Sequence, residues 1–223
     1  MMRVAALVPA YDEAATVSAV VAGVRPHVEC VIVVDDGSSD DTAGRAEAAG
    51  ARVIRHGANR GKGHAVRTGL TSILSGDFTH VLLMDADMQH LPAEAPSLLE
   101  MAGSSGADVV IGERRFDRLR MPLSRYYANL LGSRALSGFM GVRLGDTQCG
   151  YRVFRTDIVR RMKLQATRYD IETEMLVKLG RLGGRIVHVP VSAVYGGKSK
   201  LRPVRDTTRT CFLAVYYRFI ERL

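Results

Sequence analysis

Short runs at residues 4–8, 31–34, 52–55, 80–84, 109–111 and 186–191 are rich in β-branched side chains, and most are apolar at consecutive positions. Strands of that kind are buried on both faces, as in a parallel sheet covered by helices. Helical periodicity fills the intervals at residues 13–24, at 40–49, opened by Ser39 and closed by Gly50, at 64–74 and at 92–102. A later helix is predicted over 171–182, with Asp170 as its N-cap and Gly183 and Gly184 as its stop. The β-α-β-α order implies an α/β fold, and 223 residues suffice for one such domain. The stretch from Arg114 to Thr147 is rich in Arg and Gly and has a helical patch at 123–136. It is expected to be an insertion on the rim of the sheet, within the same domain.

Ligands of open α/β sheets bind beyond the carboxyl ends of the strands, so the polar clusters that follow the apolar runs are the places to look. The first run ends in Pro9-Ala10-Tyr11-Asp12-Glu13, the second in Asp35-Asp36-Gly37-Ser38-Ser39 and the fourth in Asp85-Ala86-Asp87-Met88-Gln89-His90. Carboxylates gathered on one edge repel each other unless a divalent cation or a ligand's donors offset them. For residues 35–41, helix capping by Ser39, Asp40 and Asp41 is an equally good explanation. For Asp85 and Asp87 it is weaker, because positions i and i+2 after a strand project to one side and Gln89 continues the alternation. Mg2+ or Mn2+ shared with a diphosphate is the natural occupant of such a pair.

Basic residues supply the opposite charge. The excess of 31 Lys and Arg over 23 Asp and Glu gives a net +8, which favours polyanions, anionic lipid or phosphorylated substrates. Lys62, in Asn59-Arg60-Gly61-Lys62-Gly63-His64, is a candidate partner for a diphosphate, although its glycines lack the spacing of a P-loop. Arg114, Arg115, Arg118, Arg120 and Arg125 form a set suited to phosphate oxygens. On the predicted helix over 171–182, Glu174 falls at the margin of the apolar stripe, turned partly inward to meet a base or cation, while Glu172 is expected to point away.

In their order and spacing, Pro9-x-Tyr11-x-Glu13, Val34-Asp35-Asp36-Gly37-Ser38, Gly61-Lys62-Gly63-x-Ala65-x-x-x-Gly69, Asp85-Ala86-Asp87-Met88-Gln89-His90, Gly112-x-Arg114, residues 146–152 and Ser199-Lys200-Leu201 resemble glycosyltransferase family 2. The likeness is to the dolichyl/polyprenyl-phosphate mannosyltransferase branch and covers nearly the whole chain. It implies a GT-A fold, a Rossmann-like α/β fold with a mixed, mainly parallel sheet and flanking helices. It also implies a single catalytic domain over residues 1–223, an acceptor-side insertion at about 114–147, a nucleotide-sugar donor (GDP- or UDP-hexose) and a divalent cation, Mg2+ or Mn2+. By that likeness Pro9, Ala10, Tyr11, Glu13, Asp35, Asp36, Lys62, Asp85, Ala86 and Asp87 would hold the nucleotide-sugar, with Asp85, Asp87 and Gln89 at the metal. Arg114, Arg125, Asn129 and Lys200 would meet the acceptor phosphate, and Asp87, Asp146 and Arg114 would carry the chemistry.

The expected reaction is inverting transfer of a hexose, mannose from GDP-mannose or glucose from UDP-glucose, to a polyprenyl phosphate. The alternative is a family-2 enzyme acting on a hydroxyl, for which Asp146 would be the base. A nucleotidyltransferase would open on a Gly-rich loop with Arg and Lys, unlike residues 9–13. A nucleic-acid binder fits the charge, but the chain has no Trp and no recognisable binding motif, so nucleic acid is not an expected partner. Cys30, Cys149 and Cys211 lack CxxC spacing, which suits a reducing, cytoplasmic address. No apolar stretch is long enough to span a bilayer. An amphipathic helix at about 203–223 is expected either to pack against the domain's own core or to make peripheral contact at the cytoplasmic face, on an anionic surface or a membrane-embedded partner.

Overall fold

The computed structural model describes residues 2–114, 149–192 and 216. Arg115, Arg118, Arg120, Arg125, Asn129, Asp146 and Lys200 lie outside them, as do the helical patch at 123–136 and the C-terminal helix apart from Tyr216, which is helical and exposed. Seven strands form one sheet: β1 (Val4–Ala10), β2 (Cys30–Asp35), β3 (Arg52–Arg55), β4 (His80–Leu83), β5 (Val109–Arg114), β6 (Arg152–Arg155) and β7 (Ile186–Val191), in the order β3-β2-β1-β4-β6-β5-β7. Pairing is parallel at β1–β2, β1–β4, β2–β3 and β5–β7, and antiparallel where β6 meets β4 and β5.

Among the described residues the α-helices are α1 (Val17–Val24), α2 (Thr42–Ala48), α3 (Lys62–Leu74), α4 (Ala95–Ser105), α5 (Thr156–Arg161) and α6 (Ile171–Arg181). Each apolar run predicted as a strand is one, and β1 is buried from end to end, as consecutive apolar residues between two helical layers require. Two elements were not among those predicted from the sequence. Arg152 begins β6, and Thr156–Arg161 is helical.

Four of the five predicted helix starts also shift, by two to four residues, 64 to Lys62 and 92 to Ala95 among them. The first helix begins at Val17, because the Glu13 carbonyl accepts from the amides of Thr16 (3.0 Å) and Val17 (2.9 Å) in a preceding turn. The second begins at Thr42, with Asp41 at the N-cap position and no side-chain capping bond. Ser39 does not cap it; its amide (2.7 Å) and hydroxyl (3.1 Å) both donate to Asp12.

The chain adds β2 and β3 on one side of β1, then crosses to place β4 on the other. That reversal opens a crevice at the carboxyl ends of β1 and β4, the usual ligand position in such sheets. Helix α3 lies close over β1: a Cβ built at Gly69 would come 2.1 Å from Leu7 Cδ1. Gly69→Ala should therefore lower the unfolding free energy by about 1–3 kcal/mol despite alanine's better helix propensity. A denaturant midpoint at or above that of the unaltered chain would mean that α3 can lift off β1 without cost.

Candidate active site

Asp85 and Asp87 follow β4, Lys62 opens α3 and Glu172 lies in the first turn of α6. The Lys62 ammonium stands 2.5 Å from Asp85 Oδ1 and 2.5 Å from Glu172 Oε1. Burial acts against that charge, yet the two carboxylates outweigh it and raise the Lys62 pKa above the ordinary lysine range. Burial likewise pushes Asp85 up, but the ammonium overrides it and holds the carboxyl below its usual range. Asp87 goes the other way, raised by burial and by the charge of Asp85. Its Oδ1 accepts from the Gln89 amide at 3.0 Å.

On the side facing Gly150, Asp85 has no room for a further side-chain atom. A Cβ at Gly150 would lie 2.4 Å from its Oδ2, so the loop before β6 presses directly on the carboxylate. Gly150→Ala should displace Asp85 and lower kcat/KM by about 100-fold, since an ångström of misplacement near the reacting centre costs that much. Thermal unfolding of the same variant should move little, and wild-type kcat/KM would show that Asp85 is not held in a productive position.

A second network is centred on Asp36. Asp36, 3% exposed, accepts from the amides of Arg60 (3.0 Å) and Gly61 (2.7 Å), and its Oδ1 lies 2.7 Å from His56 Nδ1. A carboxylate only accepts, so Nδ1 carries a proton; Nε2 lies 3.0 Å from the Thr68 hydroxyl. Asp36 thus fixes the turn that delivers Lys62, and Gly61 takes a φ of 98° there that favours glycine. Asp35 accepts from the Ser38 amide (3.0 Å) and from the Ser38 hydroxyl. Asp40 accepts from the amides of Ala14 (3.0 Å) and Thr42 (3.0 Å). The acidic run after β2 therefore mainly builds its own loop, and of it only Asp40 reaches an amide of α2, that of Thr42.

The expected donor residues converge at one edge. In register, Ala10 sits opposite Asp35, Glu13 is close enough to Asp87 to raise its pKa, and Tyr11 is 38% exposed. Pro9, Ala10 and Ala86 are buried beneath them. Arg114 closes β5, which runs the same way as β4, so it reaches the same edge. Glu172, expected to point away, is instead buried against Lys62. Nearly all of α6 is covered, so a helical wheel alone misplaces this side chain. Glu174 is inward as expected, and its cation is Lys178 at 2.8 Å, a structural partner. Among the described residues no group of three or more His, Cys, Asp or Glu forms a ready-made cation cage. Asp85 and Asp87, with Gln89 nearby in sequence, could hold a cation, and a positive ion there would relieve the raised Asp87 carboxyl.

The profile described as Glycosyl transferase family 2 matches residues 5–165, a span that holds β1 to α5 and the Asp85–Asp87 pair. The chain belongs to glycosyl transferase family 2. Among relatives of this family-2 protein, the undecaprenyl-phosphate mannosyltransferase of Micrococcus luteus is 34% identical over 215 residues, covering 90% of this chain and 88% of its own. The UDP-N-acetylglucosamine–dolichyl-phosphate N-acetylglucosaminyltransferase of Methanococcus voltae is 25% identical and covers 96% and 93%. Among solved structures, glucosyl-3-phosphoglycerate synthase from Mycobacterium tuberculosis, crystallised with Mn2+, UDP-glucose and phosphoglyceric acid, superposes with a TM-score of 0.77 at 23% identity, covering 97% of this chain and 79% of its own. The GT-A fold implied by the motifs is the fold observed.

Proposed function

We propose that this family-2 enzyme transfers a hexose, with inversion, from a GDP- or UDP-hexose to a polyprenyl phosphate. The observation that carries the acceptor class is the 34% identity, over 90% of this chain, to an undecaprenyl-phosphate mannosyltransferase. A hydroxyl acceptor would need a general base. A phosphomonoester needs no such base, since it already carries an anionic oxygen near neutral pH. The polyprenyl-phosphate substrates in the names of the relatives from M. luteus and M. voltae support the same reading.

In this mechanism the acceptor oxygen attacks the anomeric carbon from the side opposite the diphosphate, and the bond to the diphosphate breaks with its electron pair. Lys62 faces the leaving oxygens, where preorganised positive charge acts most strongly. Asp85, Asp87 and Gln89 would hold Mg2+ or Mn2+, which would supply further positive charge to the leaving group. Tyr11, with Pro9, Ala10 and Glu13, lines the nucleoside side, with Asp35 and Asp36 shaping its floor. Arg114, together with Arg125, Asn129 and Lys200 from outside the described residues, docks the acceptor phosphate. Asp146, also outside them, is the base of the hydroxyl-acceptor alternative.

No helix among the described residues is long and apolar enough to cross a membrane. The protein reaches its lipid peripherally at the cytoplasmic face, drawn by its net +8 charge. The test follows label from each nucleotide-sugar. It should pass into an organic phase only when polyprenyl phosphate is added, and Arg114→Ala should raise the acceptor KM more than the donor KM. Label that passes instead to a water-soluble glycan, with none in lipid, would overturn the acceptor class and favour the hydroxyl alternative.

A further inference from the structure

We propose that Glu172 is a positioning residue for sugar transfer, acting through Lys62; the inference rests on the reading of this edge as the donor site. Lys62 comes from α3, Asp85 from the end of β4 and Glu172 from α6, so one ammonium ties together three elements distant in sequence. A lysine ammonium has three N–H donors. Two are spent on the carboxylates, and with the side chain 15% exposed the third is left for an oxygen arriving from the crevice. A lysine held by Asp85 alone would keep most of its rotamer freedom. It could then fold across Asp85 and Asp87, or swing away from the leaving group.

Glu172 is itself firmly placed. Its main-chain carbonyl accepts from Arg152 Nη1 at 3.0 Å, and Arg152 Nε donates to the Cys149 carbonyl at 2.7 Å. Arg152 is fully buried, so the first turn of α6 is anchored to the same loop whose Gly150 presses on Asp85. Both carboxylates that grip Lys62 are thereby set from one piece of backbone. The Glu172 side chain is 9% exposed, a depth at which an unpaired carboxylate is costly. The site has therefore placed a charge where only the ammonium justifies it.

Two measurements test this. In the free chain, amine acylation should modify Lys62 at least about tenfold more slowly than exposed Lys163, because the Lys62 side chain is 15% exposed and its amine is enclosed by two carboxylates that shield it from the reagent. In Glu172→Gln, Lys62 should react several-fold faster than in the unaltered chain while staying slower than Lys163, since Asp85 still holds it, with Glu172→Asp in between. A Lys62 rate that does not respond to either variant would overturn the proposal without any donor being present.

In the transfer assay, Glu172→Gln should lower kcat by roughly 10- to 100-fold with a smaller change in donor KM, because leaving-group charge develops in the transition state. Glu172→Gln combined with Lys62→Met should be no slower than Lys62→Met alone, within about threefold. Losses that multiply would mean that Glu172 acts on its own, as a base or as packing, and would overturn the proposal. If no donor labels polyprenyl phosphate, the substrate assignment falls, while the acylation rates still decide whether Glu172 holds Lys62.

Discussion

Asp87→Asn is expected to lose about three orders of magnitude in kcat, the scale of losing preorganised charge at a leaving group, while the protein unfolds at a temperature no lower than that of the unaltered chain. The second half of this expectation follows from the sign of the Asp87 shift. Burial and the neighbouring Asp85 raise its carboxyl above the ordinary 3.8, so the folded state prefers the protonated form. The stability this contributes is complete below the unfolded value and is lost as pH rises through the folded value. At neutral pH the ionised Asp87 is a burden on the metal-free protein, and the neutral amide removes it. Scanning calorimetry at pH 7 without divalent ions, beside initial rates with saturating Mn2+, checks both parts. Undiminished turnover in Asp87→Asn, or full activity of the unaltered enzyme in excess chelator, would take Asp87 and the cation out of the mechanism.

Lys178→Met is expected to cost about 3–5 kcal/mol, the usual result of stripping one partner from a buried ion pair. Lys178 and Glu174 have side chains 1% and 0% exposed and meet at 2.8 Å; Lys178 also donates to the Lys163 carbonyl. Glu174 accepts from the amides of Gln165 and Ala166, each at 2.8 Å. An apolar pair would strand those two amides, so this ion pair is not exchangeable for leucines, as some are. The loop it secures continues to Thr167, whose carbonyl accepts from the His64 amide at 3.2 Å beside Lys62. Urea titration gives the midpoint and slope. A shift below about 1 kcal/mol would show that water or rearrangement already compensates the charge.

The sheet and most helices were legible because their signals are local: unbroken β-branched runs, helical periodicity and glycine stops. Strand β6 was not. Its sequence, Arg152 to Arg155, has only Val153 and Phe154 as apolar residues. It enters the middle of the sheet because Arg152 finds the carbonyls of Cys149 and Glu172 for its guanidinium, a long-range solution that no window of sequence displays. The acidic clusters after β1, β2 and β4 were visible, but the division of labour among them was not. Whether a carboxylate faces a ligand or its own loop depends on backbone amides contributed from elsewhere, as Arg60 and Gly61 are for Asp36. Glu172 was misjudged for a related reason: periodicity describes one helix face, and α6 is covered on nearly all of them.

Both hydrogen-bonded neighbours of β5, namely β6 and β7, come later in the chain than β5 itself. During synthesis, β1 to β4 can pair as soon as they emerge, whereas β5 must wait with both edges open until Arg152–Arg155 has been made. Closing that long interval carries an entropic cost before any contact rewards it. Until then Asp85 lacks the Gly150 loop against it and Lys62 lacks Glu172. A nascent chain that stops short of β6 thus has the acidic edge without its order, so the ability to handle an activated sugar arrives late and all at once, with the last strands of the sheet.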